Sequence, residues 1–139
     1  MKLLEKILEV AKENATKFAL AQKDEQFTYK ELFDAITQIM SIMNAEKLND
    51  RPIFIFGKND FLTLSAMLAV NMTGRAYIPV DAHTPIERTQ MILEASKPAL
   101  VITTVDLEID YAYIFSKVKV LSFTKYARNR EFSFDEVDT

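Results

Sequence analysis

The sequence predicts an α/β protein with three α/β/α layers and a mainly parallel sheet built from βαβ units. Three short apolar runs carry this prediction: Ile53–Phe56, Ala76–Val80 and Ala99–Thr103. Each run is continuously apolar, as is typical of a strand buried on both faces of a parallel sheet. Helical segments separate the runs, so strand and helix alternate as in βαβ units. We expect the three runs to pair in parallel within one sheet.

The chain before the first of these strands predicts two helices and a hairpin. Apolar residues fall on one face of a helix over Leu3–Glu13, and Lys and Glu alternate on the other face. Lys17–Ala21 and Gln26–Thr28 predict two short strands around a polar turn. Glu31 follows Thr28 at the spacing of a capping box, which predicts the start of an amphipathic helix.

The segment after the first buried strand invites a phosphate-loop interpretation, because Gly57–Lys58 lies between a strand and a helix. A phosphate loop also needs a glycine five residues before the Gly-Lys pair and a Ser or Thr after the lysine. Position 52 is Pro and position 59 is Asn. We therefore expect no phosphate loop, and expect Asn59 or Asp60 to cap the helix over Phe61–Met72.

The second and third buried strands are joined by a helix with clear start and stop signals. Gly74, before the second strand, is expected to take a positive φ at the end of the preceding helix. Thr84 and Glu87 have the spacing of a capping box, with Pro85 at the first helical position. Pro98 disfavours helical geometry in the residue before it, so the helix should end there.

The last part of the chain has a weaker pattern. Val105–Asp110 predicts a loop, Val118–Leu121 predicts a further strand, and Tyr111–Ser116 fits no single element. Aromatic and basic residues then mix, followed at once by acidic residues, which favours a solvated segment over a nucleic-acid surface. We divide the chain into an α/β subdomain, 1–122, and a loosely structured C-terminal segment, 123–139.

Composition narrows the classes of function. The net charge of −3 argues against a general nucleic-acid binder, which would normally be basic. The sequence contains no cysteine, which excludes thiol chemistry and is compatible with a reducing compartment. No apolar run reaches the length of a membrane span. We expect a cytoplasmic protein with no nucleic-acid or membrane partner.

Asp81 and His83 are the best placed polar residues, because they come directly after a predicted strand. The carboxyl ends of parallel strands are where α/β folds hold ligands. The two side chains could form an acid–base pair, but no nucleophile or metal ligand lies near them in sequence. We favour a surface histidine in a turn. No metal set or catalytic triad can be assembled, so catalytic, cofactor-binding and metal residues are all predicted as none.

Two motifs resemble those of the adenylate-forming (AMP-binding) ligases. One is Gly74–Asp81, followed by Pro85, Glu87–Arg88 and Ile92–Leu93, and the other is Phe27–Leu32. Within this family, the pattern is most similar to the members that activate D-alanine with ATP and load it onto a D-alanyl carrier protein. Those members serve the D-alanylation of lipoteichoic acid.

The resemblance implies an N-terminal fragment, part of the large N-terminal domain of a cytoplasmic ligase. ATP and Mg would serve the parent enzyme, with D-alanine and the D-alanyl carrier protein as its partners. In the family, the motifs present here shape the sheet and do not contact substrate. We therefore expect no cofactor in the fragment and no activity of the fragment alone. We also expect the fragment to self-associate. Three alternatives stay open: an adenylation domain of a peptide synthetase, a stand-alone protein-interaction module, and another small enzyme or binding domain that reuses the βαβ unit.

Overall fold

A computed structural model describes residues 18–22, 25–124 and 135–137, with side chains for 27–124. The predicted helix Leu3–Glu13 lies outside these ranges. The described elements, in chain order, are β1 (Phe18–Gln22), β2 (Glu25–Thr28), α1 (Tyr29–Asn44), β3 (Ile53–Gly57), α2 (Phe61–Met72), β4 (Tyr77–Asp81), α3 (Ile86–Ser96), β5 (Leu100–Thr103), α4 (Ile109–Ile114), β6 (Val120–Ser122) and β7 (Asp135–Val137). Among the described residues, no helix combines the length and the apolar character needed to cross a bilayer.

The main sheet has the strand order β4-β3-β5-β6-β7, and β1 and β2 form a separate antiparallel pair. β3 pairs in parallel with β4 on one side and with β5 on the other, and β6 adds in parallel to β5. β7 closes this order antiparallel to β6. The predicted parallel pairing of the three apolar runs is confirmed.

Side chains alternate along β3 and divide the core into two layers. Ile53 and Ile55 pack with the buried faces of α1 and α2. Phe54 and Phe56 point to the opposite face, where they pack with Leu93 of α3 and with residues of α4. Every residue of β3 is buried, since helices cover both faces of the strand. The predicted three-layer α/β/α architecture is confirmed.

Three local predictions about helix ends are confirmed. The Thr28 backbone N–H donates to Glu31 Oε1 at 2.9 Å, and the Glu31 N–H donates to Thr28 Oγ1 at 3.1 Å, which completes the capping box of α1. The Asp60 carboxylate caps α2 by accepting the Thr63 N–H at 3.0 Å. Gly74 has a φ of 81°, which side-chain-bearing residues rarely adopt.

The predicted capping box at Thr84 is wrong. α3 begins at Ile86 after Pro85, and no side chain caps it. The Thr84 N–H already donates to the Asp81 carbonyl at 3.0 Å, so the amide that Glu87 would have accepted from is occupied. The turn that follows β4 therefore takes precedence over the cap.

β4 was expected to be buried on both faces, and this expectation is wrong. Within the described residues β4 lies at the edge of the sheet, and Pro79 and Asp81 are exposed. Proline cannot donate to a neighbouring strand, so Pro79 is itself the signal of an edge strand. Proline and charge also weaken an edge as a template for pairing. Self-association of the chain stays a prediction.

Residues 105–124 and 135–137, which the structure describes, contain more regular elements than predicted for the weakly patterned C-terminal part. α4 begins in the last two residues of the predicted loop Val105–Asp110 and continues into Tyr111–Ser116, for which no single element was predicted. Phe123 is fully buried in the core on the side of α1 and α2, and its N–H donates to the Thr103 carbonyl at 2.8 Å. The prediction of a loosely structured segment over 123–139 is wrong for Phe123 and for β7, because β7 joins the sheet. The domain division at residue 122 stays a prediction.

Lys97 carries a left-handed conformation at the end of α3, with φ 45° and ψ 61°. The helix ends there as predicted, since Pro98 follows. We expect Lys97→Gly to raise the free energy of unfolding by roughly 0.5–1 kcal/mol, because the relief of about 1–2 kcal/mol of steric cost exceeds the entropy of a new glycine. Urea unfolding measures this change. Lys117→Gly, at a position without a positive φ, is the matched control and should lower stability; a loss in Lys97→Gly would contradict the prediction.

Candidate functional site

The carboxyl ends of three parallel strands meet at one edge of the sheet. Gly57 of β3 pairs with Asp81 of β4, and Phe56 of β3 pairs with Thr103 of β5. The chain leaves β3 toward the face that holds α2 and leaves its neighbour β5 toward the face that holds α4. Neighbouring strands whose connections diverge in this way form a topological switch point, where open α/β sheets bind ligands.

Gly57 is packed against two threonine hydroxyls at this edge. Thr63 Oγ1 of α2 and Thr104 Oγ1 after β5 form a buried hydrogen bond of 2.7 Å. A Cβ on Gly57 would lie 2.0 Å from Thr104 Oγ1 and 2.5 Å from Thr63 Oγ1. The missing side chain therefore allows α2 and the end of β5 to approach β3. This close contact was not predicted, because Gly57 was interpreted only as a possible phosphate-loop glycine and neither threonine belongs to a motif.

The turn after β4 brings the two predicted polar residues into contact. The His83 N–H donates to Asp81 Oδ1 at 2.7 Å, and His83 Nδ1 lies 3.1 Å from the same oxygen. Both side chains are mostly exposed. The His83 backbone N–H, assisted by the imidazole and by Lys58, holds the pKa of Asp81 below its ordinary value. This arrangement fits a histidine in a surface turn, and no nucleophile contacts the pair in the described part of the chain.

We expect the lowered pKa of Asp81 to persist largely in His83→Ala, because alanine keeps the backbone N–H that is its main cause. A carboxylate whose pKa is lowered by folding stabilises the fold above its unfolded pKa, and that contribution disappears as the pH falls through the folded pKa. Carbon-13 NMR titration of the Asp81 carboxyl group measures the value. A return to the ordinary value in His83→Ala would assign the effect to the imidazole instead.

Tyr111 of α4 fixes this turn from the other side. Its hydroxyl donates to the Thr84 carbonyl at 2.6 Å, and its ring lies 5.2 Å from that of Phe56. Thr89 Oγ1 donates to the Pro85 carbonyl at 3.1 Å and so secures the start of α3. The role of Tyr111 was not predicted, because this residue lies in Tyr111–Ser116, which fits no single element in the sequence. A tyrosine among apolar residues needs a partner for its hydroxyl, which was the available signal.

A cavity of about 330 Å³ opens between the loops that follow β3, β4 and β5. Its lining combines apolar and aromatic residues with ionisable ones: Phe56, Lys58, Ala82, His83, Val105, Asp106, Glu108 and Tyr111. The volume is at the lower end of the roughly 300–1,000 Å³ that is usual for small-molecule sites. The cavity can hold a small molecule with both polar and apolar groups.

The described residues do not form a site suited to the phosphates of ATP or to Mg. Lys58 is exposed and shares the cavity with the carboxylates of Asp106 and Glu108. The backbone N–H of Thr63, near the N-terminus of α2, already donates to the Asp60 carboxylate. Within the described part of the chain, no three His, Cys, Asp or Glu side chains come together as metal ligands.

A second, larger depression lies between α3 and α4 and has a volume of about 740 Å³. Leu93 and Ile114 contribute apolar surface, with Glu94, Asp110 and Lys117 among the charged residues at its rim. Tyr113 is 78% exposed beside it. This groove is separate from the carboxyl edge, and none of its residues takes part in the hydrogen bonds described at that edge.

The fold is that of a doubly wound α/β protein, and the cavity of about 330 Å³ lies at its topological switch point, where such folds bind ligands. A family model described as "AMP-binding enzyme" matches residues 7–136. The chain belongs to the AMP-binding enzyme family. The resemblance inferred from the sequence motifs is confirmed.

Curated relatives include two bacterial proteins named D-alanine–D-alanyl carrier protein ligase. The one from Lactococcus lactis subsp. lactis is 56% identical over 116 residues, which cover 84% of this chain and 23% of that protein. The one from Lactiplantibacillus plantarum is 50% identical over 56 residues, which cover 40% of this chain and 11% of the relative. The chain thus spans about a quarter or less of the length of these relatives.

Solved structures share the fold at low sequence identity. VinN, determined in complex with L-aspartate, aligns with a TM-score of 0.73 and 15% identity over 84% of this chain and 33% of its own. IdnL1 aligns with a TM-score of 0.71 and 15% identity over 96% of this chain and 26% of its own. At these identities the likeness concerns the fold alone.

Proposed function

We propose that this chain is the N-terminal part of an ATP-dependent ligase that activates D-alanine as an adenylate and loads it onto a D-alanyl carrier protein. The parent enzyme uses ATP and Mg, acts in the cytoplasm and serves the D-alanylation of lipoteichoic acid. The observation that carries the proposal is the 56% identity to the lactococcal D-alanine–D-alanyl carrier protein ligase over most of this chain. Peptide synthetases are the weaker alternative, because FmoA3 shares only 20% identity.

The part of this chain in the reaction is to build and position one edge of the sheet. The Gly57 contact, the Asp60 cap and the Tyr111 hydrogen bond fix the loops after β3 and β4 relative to each other. None of these groups offers a nucleophile or a phosphate cradle. Adenylate formation requires charge stabilisation at the reacting phosphorus, which residues outside the matched quarter of the relatives must supply.

A chimera tests the proposal. The region of the lactococcal ligase that matches this chain is replaced by this chain, and D-alanine-dependent ATP–pyrophosphate exchange is measured. We expect exchange within about tenfold of the unaltered ligase, which corresponds to roughly 1.4 kcal/mol in the barrier. L-Alanine serves as the control substrate. A folded chimera without D-alanine-dependent exchange would contradict the proposal.

We further expect that the 139-residue chain alone neither binds MgATP in the micromolar range nor forms an aminoacyl-adenylate. The physical reason is that the carboxyl edge does not fit the phosphates of ATP. The Asp60 carboxylate already accepts the Thr63 N–H at the start of α2, and the carboxylates of Asp106 and Glu108 share the cavity with Lys58. Isothermal titration calorimetry with MgATP and pyrophosphate exchange with D-alanine measure the two properties. Saturable micromolar binding, or exchange above a blank without protein, would refute this prediction.

A further inference from the structure

We propose that the edge of the sheet at which the parallel strands begin binds an acidic peptide segment of a protein partner. This amino edge is formed by residues 45–52 before β3, 73–76 before β4, 97–99 before β5 and 115–119 before β6. It lies at the opposite end of the strands from the candidate site. The inference therefore goes beyond the proposed function and does not depend on it.

Hydrogen bonds between these segments make the amino edge one continuous surface. The Ile53 N–H donates to the Ala76 carbonyl at 3.0 Å, which joins the starts of β3 and β4. The Ala99 N–H donates to the Pro52 carbonyl at 2.9 Å, which joins the starts of β3 and β5. β6 then pairs in parallel with β5. Because neighbouring strands lie about 4.8 Å apart, the four strand starts span roughly 14 Å.

The amino edge is strongly basic, although the net charge of the whole chain is −3. Its four segments contain six basic and two acidic residues, a net charge of +4: Lys47, Arg51, Arg75, Lys97, Lys117 and Lys119 against Glu46 and Asp50. Each segment directly follows a helix, and a helix C-terminus attracts cations with a charge of only about −0.5. The ends of α1, α2, α3 and α4 therefore balance about half of the excess.

Two arginines are held in place on this edge and keep their charge. Arg51 Nη2 donates to the Ser96 carbonyl at 2.6 Å, and Arg51 Nε donates to the Lys97 carbonyl at 3.2 Å. Arg75 Nη1 donates to the Asn49 carbonyl at 2.6 Å. Carbonyl oxygens orient a guanidinium group without neutralising it, and within the described residues neither arginine is paired with a carboxylate. A guanidinium group oriented in this way loses little conformational freedom when it binds a carboxylate.

The surroundings of these cations favour an acidic peptide over other polyanions. Peripheral membrane binding combines basic residues with inserted apolar side chains. The exposed large hydrophobic side chains of the described residues lie on α3 and α4 instead: Met91, Ile109 and Tyr113. Single-stranded nucleic acid stacks on exposed aromatic rings, and the one aromatic residue of the four segments, Phe115, is buried. A row of roughly 14 Å matches an extended peptide of about four or five residues.

The test is the binding of a fluorescein-labelled hexaglutamate peptide to the 139-residue chain, followed by fluorescence anisotropy. We expect a dissociation constant on the order of 100 μM in about 20 mM salt. Binding should be at least about threefold weaker in about 150 mM salt, because salt screens exposed charges. Labelled hexaglutamine is the uncharged control peptide and should not bind.

Charge-matched double variants locate the surface. Lys97→Gln with Lys117→Gln removes two charges from the amino edge and should weaken hexaglutamate binding by about tenfold. Lys30→Gln with Lys58→Gln is the matched control, because Lys30 lies at the start of α1 and Lys58 follows β3, both away from the amino edge. This control should change the dissociation constant by less than about twofold. All four side chains are exposed, so the substitutions leave the fold intact.

Three results would overturn the inference: no saturable binding of hexaglutamate, equal weakening by the two double variants, or tighter binding to labelled hexathymidylate or to phosphatidylglycerol vesicles than to hexaglutamate. The last result would assign the amino edge to a phosphodiester chain or to a lipid surface. Weakening confined to the amino-edge variant, with an unchanged circular dichroism spectrum, would support the inference. Pyrophosphate exchange by the chimera tests the proposed function alone, so the two proposals can fail separately.

Discussion

Gly57→Ala should lower the free energy of unfolding by about 3 kcal/mol, because it adds a methyl group where no space exists and breaks a buried hydrogen bond. The new Cβ would lie 2.0 Å from Thr104 Oγ1 and 2.5 Å from Thr63 Oγ1, so both hydroxyls must move. Their hydrogen bond of 2.7 Å is buried. Displacing it leaves polar atoms without partners in the core.

Thermal and urea unfolding of Gly57→Ala measure the effect. A loss of 3 kcal/mol corresponds to a fall in Tm of roughly 10–15 °C for a chain of this length. Gly74→Ala is the matched control, since nothing lies within 4 Å of the added Cβ and only the φ of 81° opposes it. That control should cost about 1–2 kcal/mol. Equal losses in the two variants would show that Gly57 is not held in a close contact.

Phe115→Ala is the second large effect, with an expected loss of about 3–5 kcal/mol. The Phe115 side chain is fully buried directly after α4. Its ring lies 5.6 Å from Phe54 and 5.3 Å from Phe56, both in edge-on geometry. Removing the ring leaves a void between the sheet and α4, and takes away two favourable aromatic contacts.

Tyr113→Ala is the matched control for Phe115→Ala. Tyr113 is 78% exposed, so its truncation should change stability by at most about 0.5 kcal/mol. Amide hydrogen exchange should also rise throughout α4 in Phe115→Ala, because the end of the helix loses the contacts of this ring with Phe54 and Phe56 of β3. A small change in Phe115→Ala, similar to that in Tyr113→Ala, would contradict the packing of this layer.

The buried strands and the helix between β3 and β4 could be predicted because each carries an unambiguous local signal. The continuous apolar run of β3 and the Asp60 cap of α2 depend on neighbouring residues alone. The edge position of β4 was readable from Pro79 but was outweighed by its apolar neighbours. The burial of Phe123 was not predicted, because a single core residue followed by a charged segment has no periodic pattern.

The location of the candidate site at the carboxyl ends of the strands could be predicted from the sequence. The contacts between its residues could not. Asp81 and His83 could be paired because they are two residues apart in one turn. The Gly57, Thr63 and Thr104 contact joins residues up to 47 positions apart, since it depends on β5 pairing beside β3. Tyr111 likewise reaches Thr84 across 27 positions. Such contacts follow from strand order, which local patterns do not specify.

The contacts of the candidate site depend on the sheet order in which β5 lies directly beside β3. The chain has no cysteine, so the variant with Thr63→Cys and Thr104→Cys contains only the two introduced thiols. The hydroxyls that they replace are 2.7 Å apart. We predict that refolding in oxidised glutathione yields an intramolecular disulfide, seen by mass spectrometry as a chain that carries neither free thiol nor bound glutathione, while the control pair Thr63→Cys with Ser96→Cys forms no intramolecular disulfide. Free thiols in the folded Thr63 and Thr104 variant, or disulfides only between chains, would contradict the strand order and the site built on it.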